Sequence, residues 1–260
     1  MITIQLMGGL GNMMFQIATV VALAKDHDDK PIFDTTTHYL PPQFLDRKCG
    51  KYLSNIFSKV EFSRDLQIEC TYREPNFYYG KLPYKKNMCL LGYFQSEKYF
   101  VHRADDIKAL FEPTEEIKQY IDEQYSHILE GETIGIHVRR GDYTNHPNIH
   151  PTCSPHYYQK ALSMFKDADQ YDIVVFSDDA EWCKNEFGSL AHVVENEADY
   201  IDLYLMSMCK HNIIANSSFS WWAAWLNANT DKVVVAPQRW FGPSVAYNTK
   251  DLYCAGWEII

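Results

Sequence analysis

The chain has 260 residues, with 34 acidic against 24 basic side chains and a formal charge of −10. That balance excludes a general nucleic-acid binder, which needs a basic face to displace counterions from phosphates, so an anionic ligand must be met by a local basic cluster. Hydrophobic residues at 46% and charged ones at 22% exclude a disordered or fibrous chain, and the length fits one large domain or two of roughly 130 residues.

Residues 1–24 carry no charge and end in Ala22, Leu23 and Ala24, which imitates a secretory signal. A basic leading region is missing, however, and Gln5, Gly8, Gly9, Gly11, Asn12 and Gln16 interrupt the apolar run, so the segment reads instead as strand, turn and helix. The strand covers 2–6, "GGLGN" at 8–12 is the turn, and the helix covers 13–24 with Met14, Ile17, Ala18 and Val21 on its apolar face. A second strand follows at 31–34. Residues 35–80 are irregular by pattern, and 89–94 form a buried strand. Thr114 caps a helix that carries Glu115 and Glu116 in its first turn, and Gly131 ends it. A domain boundary is expected there, giving an N-terminal domain over 1–130 and a C-terminal one over 131–260.

The second half is regular. Strands at 133–138, 172–176, 192–194, 211–215 and 232–236 alternate with helices that start near Pro155, Glu181, Asp199 and Phe219. Such alternation predicts a parallel sheet covered by helices. No stretch approaches the roughly 20 apolar residues that span a bilayer, so no integral membrane segment is expected. Seven cysteines, widely spaced and without a C-x-x-C pair, fit reduced buried thiols in a cytoplasmic protein.

Ligands of a parallel α/β sheet bind at the carboxyl ends of its strands. Three polar clusters fall there: Arg139, Arg140 and Asp142; Ser177, Asp178 and Asp179; Asn216, Ser217 and Ser218. Arginine offers a planar, permanently charged fork for a phosphate, and Asp142 can hold one guanidinium in place. One of the two arginines is expected to face the ligand and the other to make a structural ion pair. "NSSFSWW" at 216–222 opens a helix whose free amides suit a phosphate, or simply caps it with serine. His146 and His150 are spaced as metal ligands, but Pro147 spoils a helix and no third ligand accompanies them, so no metal site is expected.

Four motifs, "GGLGNMMFQ" at 8–16, "HVRRGDY" at 137–143, "FSDDAEWC" at 176–183 and "CKHNIIANSSFSWWAAWLN" at 209–227, together resemble the family-eleven glycosyltransferases, the alpha-1,2-fucosyltransferases. They span almost the whole chain in the family's order. The resemblance implies an α/β fold of two Rossmann-like domains facing across a cleft, the GT-B type, with GDP-L-fucose held mainly by the C-terminal domain and a galactose-terminated acceptor as the second substrate. It assigns Arg139, Asp142 and Asn12 to catalysis. It assigns Gly9, Gly11, His137, Arg139, Arg140, Asp178, Asp179, Ser217, Ser218 and Phe219 to the donor, with Asp178 and Asp179 near the guanosine. No obligatory metal or other cofactor is implied, and peripheral membrane association stays open. Met13 departs from the family, which usually has glutamine at that place. The shared arginine and serine motifs leave a fucosyltransferase of another linkage, alpha-1,6 or protein O-linked, as an alternative, and a non-catalytic sugar- or nucleotide-binding module as a further one. Asp142 qualifies as the general base only when it is not committed to an arginine.

Overall fold

The computed structural model describes residues 1–34, 49–166 and 170–260, so 35–48 of the segment read as irregular lie outside the described residues. The chain forms two compact α/β units, Met1–Thr114 with Tyr247–Cys254, and Glu115–Ala246 with Ala255–Ile260. The division falls one helix before residue 130. The helix Glu115–Leu129 counts with the second unit, where the Tyr120 and Tyr125 hydroxyls both donate to Glu197 at 2.7 Å.

In the first unit β1 (Ile2–Ile4) leads into the helix Leu10–Asp26, then come β2 (Phe33–Asp34), β3 (Phe62–Ser63), β4 (Cys70–Arg73) and β5 (Met88–Leu91). The order β1-β5-β4 makes a parallel three-stranded sheet, while β2 and β3 pair separately, also in parallel. The helix Leu10–Asp26 is buried from Met13 to Ala24, which explains its uncharged sequence: a helix apolar all round belongs to a core. Met13 is 0% exposed, so the departure from glutamine sits in the core. Gln16 is the buried polar exception. Its Oε1 accepts from the Met7 N–H at 3.0 Å and its Nε2 donates to the Gly92 carbonyl at 3.0 Å, tying the turn after β1 to the loop after β5. At Gly8, φ is +81°, and a Cβ would lie 2.3 Å from Asn12 Nδ2, so glycine is required there.

The second unit holds β6 (Thr133–Val138), β7 (Asp172–Ser177), β8 (Ala191–Val193), β9 (His211–Ile213), β10 (Val234–Ala236) and β11 (Glu258–Ile259). They form one sheet in the order β11-β10-β9-β6-β7-β8, parallel at every pairing. Every residue of β6 is buried, as befits a central strand covered on both faces. Ile134, Ile136, Val175, Ile213 and Val235 from four adjacent strands pack with Tyr158, Ala161 and Cys183 from the helices. Ser154 accepts from the Tyr157 N–H at 3.3 Å and, with Pro155, starts the helix Pro155–Leu162. Asp179 caps Ala180–Phe187, and Ser217 caps Ser218–Leu226.

The strand order decides where a ligand is held. From β6 the chain moves outward through β7 to β8, then returns to the other side of β6 for β9, β10 and β11. The reversal lies between β6 and β9, the place where an open parallel sheet has its crevice. Because β6 pairs with both β7 and β9, the loops after these three strands are neighbours.

Candidate active site

At the end of β6 the chain turns outward and presents both arginines. The Arg139 guanidinium pairs through Nη2 with Asp142 Oδ1 at 2.5 Å and through Nη1 with Asp178 Oδ2 at 3.0 Å, and it lies 5.2 Å from the centre of the Tyr143 ring. Its side chain is 34% exposed and that of Asp142 is 64% exposed, so the Arg139–Asp142 pair is a surface pair of small net stabilisation that an arriving polyanion can replace.

Arg140 is held more closely. Its Nε donates to Asp179 Oδ2 at 2.9 Å, its guanidinium lies 4.3 Å over the Trp182 ring, and its backbone N–H donates to Asp178 Oδ1 at 2.8 Å. The bond from Arg140, foremost, and the Trp182 N–H on the other oxygen hold the Asp179 carboxyl below its ordinary pKa. Both arginines are therefore ion-paired in the structure. Arg140 is built into the helix cap, and Arg139 keeps the more open side.

The loop after β9 closes the same end of the sheet. Asn216 is 1% exposed; its Nδ2 donates to the Pro151 carbonyl at 2.8 Å and the Trp240 carbonyl at 2.9 Å. The Tyr143 hydroxyl donates to the Asn216 carbonyl at 3.2 Å, joining the arginine loop to the serine loop. Ser217 Oγ accepts from the Phe219 N–H at 3.3 Å, and Ser218 is the first residue of its helix. The Phe219 ring packs 5.0 Å from His137, which is the buried residue of β6 facing it. His137 Nδ1 has no hydrogen-bond partner, and burial, with the Arg139 charge behind it, pushes the imidazole pKa down to about 3. His137 is thus a neutral packing ring beside the arginines and not a proton carrier at neutral pH.

The three clusters read from the sequence do converge: Arg139, Arg140, Asp142, Asp178, Asp179, Ser217, Ser218, Phe219 and His137 all sit at the carboxyl ends of β6, β7 and β9. Asp142 is committed to Arg139 in the structure, the state in which it does not qualify as a base. Trp182 and Tyr143 were not singled out by sequence reasoning, although each sits within a quoted motif and each holds one of the loops; Asn216 was read with the serine cluster and holds the third.

In the first unit Gly9 caps the helix Leu10–Asp26 without a side-chain bond, and no acidic residue lies in the first turn, an arrangement open to an anion. Gly11 is buried within that helix, and Asn12 Oδ1 accepts from Gln95 Nε2 at 2.7 Å. Glu74, directly after β4, accepts from the backbone N–H groups of Tyr93 and Phe94 at 2.7 and 3.1 Å, and burial raises its pKa. Glu74 and Gln95 gave no recognisable signal in the sequence because their partners lie 19 and 83 residues away along the chain; Gln16 showed there only as a break in the apolar run.

Among the described residues no grouping of three or more His, Cys, Asp or Glu could hold a metal ion. Nor is any helix among them long and apolar enough to cross a membrane.

The sequence pattern of glycosyl transferase family 11 matches residues 1–260. The chain belongs to that family and is a glycosyltransferase. Among its relatives is the O-antigen biosynthesis glycosyltransferase WbnK of Escherichia coli, 32% identical, with 91% of this chain and 93% of that protein covered. An alpha-1,2-colitosyltransferase of Escherichia coli is 30% identical, covering 91% of both chains. A galactoside alpha-(1,2)-fucosyltransferase 1 of Bos taurus is 27% identical over 90% of this chain and 68% of its own length. Of solved structures, the NodZ alpha-1,6-fucosyltransferase soaked with GDP-fucose superposes with a TM-score of 0.57 over 86% of this chain and 92% of that one; at 15% identity the likeness concerns the fold. The α/β architecture with parallel sheets expected of a family-11 enzyme is what the chain has.

Proposed function

We propose that the chain transfers L-fucose from GDP-beta-L-fucose to the 2-hydroxyl of a terminal galactoside, with inversion at the anomeric carbon, in the cytoplasmic synthesis of a surface glycan or oligosaccharide. The observation that carries this reading is Arg139, a partly open guanidinium beside a serine-capped helix at the sheet's reversal point. The linkage is supported by the relatives named for alpha-1,2 transfer. As the glycosidic bond breaks, positive charge grows on the sugar ring and negative charge on the departing diphosphate. A fixed guanidinium stabilises the latter more in the transition state than in the ground state, by about 3 kcal/mol. With arginine supplying that charge, turnover needs no metal. Asp142 pairs with Arg139 until the diphosphate arrives in this reading.

One second reading has its own support. The relative named for alpha-1,2-colitosyl transfer is slightly more similar to the chain than the one named for fucosyl transfer, so the same site is read alternatively as a GDP-colitose site.

The test is a transfer assay with GDP-fucose and GDP-colitose against a small panel of terminal galactosides, with chelator present and product linkage determined. Fucose appearing at a galactose 2-hydroxyl is the expected product, and Arg139→Ala should cut turnover about a hundredfold or more while the protein stays folded. An Arg139→Ala enzyme with normal turnover would sink the assignment, and loss of wild-type activity in chelator would sink the metal-free reaction.

A further inference from the structure

We propose that Asp178 serves the donor site by holding Arg139 and its loop, and that it does not read the guanosine. The inference rests on the nucleotide-sugar reading above. The two oxygens of Asp178 have different duties. Oδ1 accepts the backbone N–H of Arg140 at 2.8 Å, which locks the loop after β6 to the loop after β7. Oδ2 pairs with Arg139 Nη1 at 3.0 Å, which aims the guanidinium.

Gly141 shows how tightly this is built. A Cβ there would fall 2.4 Å from Asp178 Oδ2, so the carboxylate fills the space that a side chain would need. Both oxygens are turned into the arginine loop, whereas recognition of guanine would require one turned out towards the base's N–H donors. Asp179 is engaged in the same way, with one oxygen on Arg140 Nε and the other on the Trp182 N–H, so the adjacent aspartates are positioning residues for the two adjacent arginines.

The two partners of Arg139 differ in exposure, 64% for Asp142 against 27% for Asp178. An incoming diphosphate competes with the exposed Asp142 first, because its pairing is the better screened by water. Asp178 then keeps the guanidinium in place while its open edge takes the ligand. The fork is thus set before the donor arrives, which limits the ordering that binding must accomplish.

The experiment titrates GDP, ADP and guanosine into the wild type and the D178N, D178A and G141A variants, with near-ultraviolet circular dichroism to verify the fold. D178A and G141A should weaken GDP and ADP alike, by about tenfold to a hundredfold, the scale of a lost hydrogen bond to a charged group. The preference for GDP over ADP and the affinity for guanosine should stay unchanged. D178N, which keeps an oxygen for the Arg140 N–H, should bind GDP more tightly than D178A. Loss of the GDP preference or of guanosine affinity in D178N or D178A would show that Asp178 touches the base and would overturn the inference, as would a D178A protein with wild-type GDP affinity. Should D178A fail to fold, the GDP-to-ADP ratio of D178N alone decides. A wild type that binds no GDP refutes the donor reading itself, an outcome distinct from all of these.

Discussion

Replacing His137 with phenylalanine should make the second unit less sensitive to acid. The imidazole is 5% exposed, lies 5.0 Å from the Phe219 ring and has Nδ1 unpartnered, and burial together with Arg139 pushes its pKa down to about 3. In the unfolded chain the same ring protonates near pH 6.5. Between these values the unfolded state binds the extra proton, so the stability contributed by the neutral buried ring is complete above about pH 6.5 and declines as the pH falls towards 3. At about 1.4 kcal/mol per pH unit, the loss reaches about 2 kcal/mol at pH 5. The Phe variant has no such group, and it also removes a buried nitrogen that makes no bond. The difference in unfolding free energy between wild type and His137→Phe should therefore swing by about 2 kcal/mol in favour of the variant between pH 7.5 and pH 5. Urea unfolding followed by tryptophan fluorescence measures it cleanly, because all six tryptophans, at 182, 221, 222, 225, 240 and 257, belong to the second unit. Parallel pH profiles for the two proteins would mean that His137 takes up its proton in the folded state, and the description of a neutral packing ring would be wrong.

Two further substitutions probe the loops. Asn216→Ala removes the donor that serves the Pro151 and Trp240 carbonyls and should cost the second unit about 2–3 kcal/mol, read by the same fluorescence. Gly8→Ala forces a left-handed backbone and a Cβ within 2.3 Å of Asn12 Nδ2, and should destabilise the first unit by about 1–3 kcal/mol. That loss should show in far-ultraviolet circular dichroism as an earlier thermal transition and leave the tryptophan signal in place.

How much was legible depended on whether the cause was local. The strand at 133–138 was read to the residue because its run of buried side chains ends abruptly at two arginines, and the Ser154–Pro155 and Ser217 caps announced their helices through the side chains that make the caps. The short final strand β11 was missed because Glu258 and Ile259 are both exposed and show no apolar alternation; only its pairing with β10 makes it a strand. The expected boundary between 130 and 131 differs by one helix from the division at Thr114 for a similar reason. A glycine stop is visible in sequence, but the bonds from Tyr120 and Tyr125 to Glu197, more than 70 residues on, are not. At the site, residue types and strand-end positions could be read, whereas the pairing of each aspartate with its arginine could not, since Asp142, Asp178 and Asp179 offer the same carboxylate.

Residues 247–254 return to the first unit after the second has been nearly traversed. There Asp251 accepts from the Tyr79 N–H at 3.1 Å and from Lys98 Nζ at 2.5 Å, Leu252 is buried, and Tyr247 stacks on Phe77 at 5.1 Å. The order of manufacture and the order of completion are consequently opposed. A ribosome delivers the first unit's sheet early, yet the surface around Tyr79 and Lys98 waits for almost the entire remaining chain before its partner emerges. A nascent chain stalled at residue 246 therefore lacks a piece of its oldest part, the cover over Tyr79 and Lys98, as well as the edge strand β11 of the second unit.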